Sequence, residues 1–323
     1  MTDPTAGAPT LATDVMPTAG SEPGAPSTKG GASGKPRGLL GDAWYDLRRK
    51  PLFWIAASLI ALFVVMAAVP SLFTSVDPTY GELSRSRVGP SGDAWFGYDV
   101  QGRDIYARVI YGSRASIVVA LSAVVGTVFI GLAVGVLAGF RGGWVDTLLS
   151  RIGDVFFGIP FVLGAIVILS AFNRPGTHRG QWAIMGVVIL TVIVLSWPVA
   201  MRIMRSTVLS TKQADYILAA RALGASNSRI IFRHLIPNCL APLLVYATIL
   251  VGAFIGAEAT LSYLGVGLQS PVVSWGVMIS SAQNYIRVSP HLLFFPATAL
   301  ILAVLSFVML GEAVREALDP KSR

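Results

Sequence analysis

One cysteine, three histidines and little charge mark this 323-residue chain. The lone Cys239 excludes an internal disulfide and any Cys-based metal site. His178, His234 and His291 lie far apart with no ligand spacing between them, so metal chemistry finds no support. Only 13% of residues are charged, against about 25% in ordinary soluble proteins. What fills the space is apolar: 54% of the residues are hydrophobic and the mean hydropathy is +0.66. That excludes a soluble enzyme as the default and points to an all-α membrane protein with several spans. A net charge of +8 would suggest nucleic acid in a soluble protein. Here the basic residues sit between apolar runs, a pattern that a bilayer explains, and no nucleic-acid partner is expected.

Residues 1–41 lack any hydrophobic run and are dominated by Gly, Pro, Ser, Thr and Ala. Such a segment buries too little apolar surface to offset its ordering entropy, which predicts a disordered tail. It is not a cleavable signal peptide, because no apolar stretch follows its basic residues before Leu52. The run Gly30 to Pro36 only superficially resembles a phosphate-binding loop. Its first glycine is one position too close, and Pro36 stands where Ser or Thr should hold magnesium.

Residues 42–323 form the predicted membrane domain. Six apolar runs are long enough, since about 20 helical residues cross a hydrocarbon core of about 30 Å. They are Phe53–Phe73, Ala115–Phe140, Val155–Phe172, Gln181–Met201, Leu240–Ala257 with an extension past Glu258, and Leu292–Leu310. In lipid every backbone polar group must be satisfied internally, so the runs are predicted to be helices. The longest polar connections are about 74–114 and about 202–237. Gly131, Gly135 and Gly139 recur at i, i+4 and leave one stripe free of side chains for a neighbouring helix. Pro160 and Pro198 fall inside runs, where each invites a kink.

With six spans both termini share a side. Placing them in the cytoplasm puts 17 of the 25 Lys and Arg residues inside. The first outer loop carries five arginines but also Asp77, Glu82, Asp93, Asp99 and Asp104, and is neutral. The positive-inside rule therefore predicts cytoplasmic ends, an outer loop near 74–114 and an inner loop near 202–237, in a multi-pass protein of the cell membrane.

The inner loop holds the most informative stretch, Asp215-Tyr216-Ile217-Leu218-Ala219-Ala220-Arg221-Ala222-Leu223-Gly224-Ala225-Ser226 and onward to Pro237. Good helix formers follow Asp215, and Gly224 ends them as glycine does at a left-handed C-terminal position. Ser226 or Asn227 can cap a second short helix, predicted to stop at Pro237. A bland alternative is an amphipathic loop on anionic lipid, with Arg221, Arg229 and Arg233 facing the headgroups.

This loop resembles the Glu-Ala-Ala signature of permease subunits in bacterial ATP-binding-cassette importers. Ala219, Ala220, Gly224 and Pro237 match the signature, Ile236 replaces a Leu, and Leu218 and His234 depart from it. The form Asp-Tyr-x-x-Ala-Ala-Arg-Ala-Leu-Gly-Ala-Ser is similar to the dipeptide, oligopeptide and nickel branch. Two more segments resemble that branch. One is Phe96 to Asp104, with Tyr98 in place of Thr. The other is Leu261-Ser262-Tyr263-Leu264-Gly265-Val266-Gly267 followed by Ser274-Trp275-Gly276, which is similar to the C-type subunit.

The resemblance implies a type I importer permease bundle of about six helices that imports dipeptides or oligopeptides, with nickel or another small solute as alternatives. It also implies partners: a second permease, two ATP-binding subunits that hold ATP and magnesium, and an external substrate-binding protein. The chain itself would hold no cofactor, no metal and no catalytic residue, and would not be an enzyme. Asp215, Tyr216, Ala219, Ala220, Arg221, Gly224, Ala225 and Pro237 would form the coupling loop, and Asp99, Gly102, Arg103 and Asp104 a docking surface for the binding protein. A solvated, charge-balanced loop explains the latter four equally well. Moving a two-state pore from 1:99 to 99:1 takes about 5.5 kcal/mol of differential binding, so the drive must come from the partners.

Glu258 is the acid within the spans. It is read either as a pathway residue that attracts a peptide amino group or as a hydrogen-bonding partner of a neighbouring helix. Glu258 also keeps a second class open, an ion-coupled secondary transporter with this carboxylate as the coupling group. An intramembrane enzyme lacks its constellation of acids and bases and is set aside.

Overall fold

The computed structural model describes residues 44–172 and 180–318. The tail at 1–41, the phosphate-loop look-alike and His178 lie outside the described residues. Helix α1, Pro51–Ala68, opens with proline at its first turn, where the missing N–H costs nothing. Helix α2, Ile105–Arg141, is capped by Asp104, whose carboxylate accepts from the Ala107 amide at 2.8 Å. Then come α3 (Gly143–Phe157), α4 (Phe161–Phe172), α5 (Gln181–Thr211) and the short α6 (Asp215–Ala222). The chain closes with α7 (Asn227–Tyr263), α8 (Trp275–Ala282) and α9 (His291–Leu318). Among the described residues no strand forms, only the isolated bridges Gly81–Arg103 and Tyr98–Asp104 in the first loop.

Five of these helices (α1, α2, α5, α7 and α9) are long and apolar enough to cross a membrane, and the α3–α4 pair makes six if counted as one span. The chain is thus a multi-pass membrane protein, helical throughout its regular structure among the described residues. Three expectations need correction. The Val155–Phe172 run kinks at Pro160 as expected, but it is not one continuous helix: α3 and α4 meet at 87°. Pro160 supplies the cause, because it offers no N–H and bars the helical region to the residue before it. Second, Pro237 does not stop a helix. It occupies the first turn after a π-helical segment, Ile230–Leu235, and α7 continues to Tyr263. Third, α2 begins at Ile105 within the expected outer loop, and α5 runs past Met201 to Thr211.

The glycine stripe seats α2 on α5. A Cβ on Gly131 would lie 2.9 Å from the Met201 amide nitrogen; one on Gly135 would lie 2.7 Å from the Met201 carbonyl oxygen. One on Gly139 would lie 2.7 Å from Val208 Cγ1, so no side chain fits along this seam. Position rises on both helices together, so they run parallel. Helices α7 and α9 run antiparallel, with Gly252 facing Val304 and Gly311 facing Ile249. Lys50, just before α1, pairs with Glu316 near the end of α9. Arg114 donates to the carbonyls of Ala67 and Ala68 at 2.8 and 3.0 Å and so closes the far end of α1. The start of α1, the ends of α2, α5 and α9, and helix α6 therefore share one end of the bundle.

Candidate functional site

At that end a short helix hangs between two long ones. Helix α6 is anchored by Ile217, which is fully buried, while Tyr216, Leu218 and Leu223 are 45%, 49% and 88% exposed. A helix in water ordinarily hides such side chains, so α6 presents an unpartnered apolar face. Ala219, Arg221 and Ala222 extend it, and Asp215 occupies the favourable first turn. Gly224 has φ +80°, a region that an L residue enters only at a cost, and a Cβ there would meet nothing within 4 Å. The Ala225 amide donates to the Ala220 carbonyl, and the Ser226 hydroxyl caps the next helix by accepting from the Arg229 amide. Pro237 stands apart from this face, inside α7.

Only residues 212–214 separate α6 from α5. Lys212 Nζ donates to the Gly139 carbonyl at 2.8 Å and satisfies an orphan carbonyl at the end of α2. Arg205 grips Asp146 of α3 through Nε and Nη2, the latter bond being 2.6 Å, and Arg202 bonds Asp154 at 2.6 Å. Helix α5 is thus tied to α2 and α3 directly above α6. These ties were not legible beforehand, because Asp146 and Arg205 stand 59 residues apart and neither lies in a motif.

The first loop is held by its own polar groups. The Asp99 carboxylate accepts from the amides of Gln101 and Arg103 at 2.8 and 3.0 Å and from Arg103 Nε at 2.7 Å. Arg108 approaches the same carboxylate at 3.4 Å and donates to the Pro78 carbonyl. Gly102 has φ +70°, and a Cβ on it would lie 2.6 Å from the Glu82 carbonyl carbon. Asp104 caps α2. The four motif residues therefore shape the loop, while Tyr80, Leu83 and Trp95, at 70%, 76% and 68%, are its most exposed large apolar and aromatic side chains.

Glu258 lies at the opposite end of the bundle from α6 and is wholly buried in α7. Its carboxylate accepts from Ser116, Ser262 and Ser274 at 2.9, 2.7 and 3.0 Å. Ser116 and Ser274 come from α2 and from the residue that caps α8, contacts that no local pattern announces.

A bundle of five or six apolar helices with an exposed helix slung between two of them is the architecture of a transporter's membrane subunit. The chain belongs to the family of binding-protein-dependent transport system inner membrane components, whose profile matches residues 131–323. The profile of the N-terminal TM domain of oligopeptide transport permease C matches residues 38–90. The dipeptide transport system permease protein DppC of Alkalihalophilus pseudofirmus is 38% identical over 87% of this chain and 90% of its own length. The oligopeptide transport system permease protein OppC of Bacillus subtilis is 35% identical over 90% of this chain and 92% of its own. The glutathione transport system permease protein GsiD of Pectobacterium atrosepticum is 35% identical over 86% and 90%. The inward-facing MetNI methionine ABC transporter shares the fold, with a TM-score of 0.54 over 67% of this chain and 98% of that one at 22% identity. This family does not favour the ion-coupled alternative.

Proposed function

We propose that the chain is one of two permease subunits of an ATP-driven importer of dipeptides or oligopeptides. The observation that carries the reading is the exposed apolar face of α6, anchored by Ile217 and joined to α5 by three residues. Two cytoplasmic ATP-binding subunits hold ATP and magnesium, and one accepts this face in a groove. This chain holds neither. As the groove closes, α6 moves, and the ties at Lys212 and Arg205 carry the motion into α2 and α3. The second permease lies beside this one, and the pathway runs between them.

Both ends of the membrane domain lie in the cytoplasm, in keeping with the Lys and Arg distribution. An external binding protein docks on the first loop, whose shape Asp99, Gly102, Arg103 and Asp104 fix and whose exposed Trp95 and Leu83 make the contact. Peptides are the proposed solutes because relatives named for dipeptide and oligopeptide transport cover most of this chain.

The test is reconstitution of the purified four-subunit complex in proteoliposomes with its binding protein. ATP-dependent uptake of a labelled dipeptide or of an oligopeptide is the expected result. Uptake of glutathione or of nickel ions alone reassigns the solute, and uptake that needs no ATPase subunit refutes the reading.

A further inference from the structure

The sequence runs Leu261–Gly267 and Ser274–Gly276 meet at Glu258, and the coupling reading leaves them unused. Two of the three serines around Glu258 have their oxygens already engaged. Ser262 Oγ accepts from the Leu268 amide at 3.0 Å, and Ser274 Oγ from the Val277 amide at 3.2 Å. Each hydroxyl therefore has its single hydrogen to give to the carboxylate, and both give it to Oε1. Ser116 of α2 serves Oε2. No Lys, Arg or His pairs with Glu258 among the described residues. Hydroxyl donors alone hold this carboxyl, and they come from three separate elements.

A second set of contacts joins the same elements. Trp275, fully buried, donates its indole N–H to the Val109 carbonyl of α2 at 2.9 Å and meets Phe63 of α1 edge-on at 5.5 Å. A Cβ on Gly276 would lie 2.7 Å from Ala259 Cα, so α8 rests directly on α7.

We propose that Glu258 is a positioning residue. It fastens the 264–282 segment to α2 and α7, so that this end of the subunit moves as one block during transport. Shifting any one of the three elements strips a donor from a desolvated carboxyl, which is far more costly than losing a bond in water. Packing around the block is largely apolar and can slide without such a loss, and a polar contact at its edge, Arg114 to the Ala67 and Ala68 carbonyls, is made by an exposed side chain. The carboxyl thereby serves the fold and stays out of reach of the solute. This inference rests on the transport function proposed above.

Glutamine separates this role from an electrostatic one. Its Oε1 accepts from Ser262 and Ser274 as the carboxylate does, and its amide donates to Ser116, whose hydroxyl can turn to its own helix. The experiment measures ATP-driven uptake by the reconstituted complex, with the wild-type complex showing independently that transport occurs. Glu258→Gln is expected to retain uptake within about twofold, because a full set of partners remains. Ser274→Ala and Glu258→Ala are expected to lower uptake per ATP hydrolysed by about tenfold or more. In parallel, spin labels on Leu121 of α2 and Ser281 of α8 report their separation in resting and ATP-trapped states. An unchanged separation in wild type and Glu258→Gln, and a broadened one in Ser274→Ala, is expected. A Glu258→Gln complex that assembles but loses uptake overturns the proposal, as does a wild-type separation that changes on ATP binding.

Discussion

Replacing Gly131 by alanine adds one methyl group to the α2–α5 seam and finds no room for it. The new Cβ would lie 2.9 Å from both the Ala200 carbonyl carbon and the Met201 nitrogen, and nearer still to the Ala200 methyl. Carbon atoms rest at about 3.5–4.0 Å, so α5 must retreat or tilt. It cannot do so freely, since Gly135 and Gly139 hold it along the same line. Overpacking of this kind costs about 1–3 kcal/mol. Gly186→Ala, on α5, supplies the control, because a Cβ there meets nothing within 4 Å. In that variant the gain in helix propensity, up to about 1 kcal/mol, is unopposed. Gly131→Ala gains the same propensity, so the two alanine variants should differ by the overpacking alone, about 1–3 kcal/mol. The assay is thermal unfolding of the purified complex in detergent, at about 2–4 °C per kcal/mol. Adding Ala200→Gly to Gly131→Ala removes the methyl–methyl overlap but leaves the backbone contacts, so rescue should be partial. A Gly131→Ala complex that melts at or above Gly186→Ala would refute close packing at this seam.

Three further outcomes are expected. Gly224→Val should abolish uptake while membrane levels stay normal: a β-branched residue at φ +80° costs about 1–3 kcal/mol, and the side chain projects into open space on the face proposed to dock the ATPase. Wild-type uptake in that variant rejects the docking. Arg205→Glu should reduce ATP-coupled uptake through loss of the Asp146 pair, and the reversed pair, Arg205→Glu with Asp146→Arg, should restore most of it; equal uptake in single and double variants leaves the pair no role. In a Cys239→Ser background, a cysteine at Gly92 should react with an impermeant thiol reagent in intact cells and one at Ser322 should not, and the reverse pattern inverts the topology.

The spans were legible in the sequence because lipid leaves a long apolar run one backbone solution. The glycine seam was legible because spacing alone brings Gly131, Gly135 and Gly139 to one face. Hydropathy does not record direction, so the run across Pro160 read as one span; the proline marked the place of the kink but not its 87° size. Pro237 misled in the other way: a proline just after a π-helical segment, inside a continuing helix, reads from sequence like the end of a shorter one. In the coupling loop, the break at Gly224 and the cap at Ser226 were legible because both are local. The hydroxyl partners of Glu258 were not, since Ser116 stands 142 residues away and nothing in its neighbours marks it.

Helix α2 has 37 residues, which at about 1.5 Å each makes a rod of about 55 Å. That is longer than the hydrocarbon layer is thick, so at least one end stands clear of it. A rod of that length turning by about 10° about its middle swings each tip through about 5 Å, close to one helical turn. Lys212 pins the end of α5 to one tip at Gly139, and Trp275 holds the Val109 carbonyl near the other. A small angular push on α6 therefore arrives at the far surface as a displacement comparable to an amino-acid side chain. On the coupling proposed above, the subunit works as a crank whose long arm is the helix that carries the glycines.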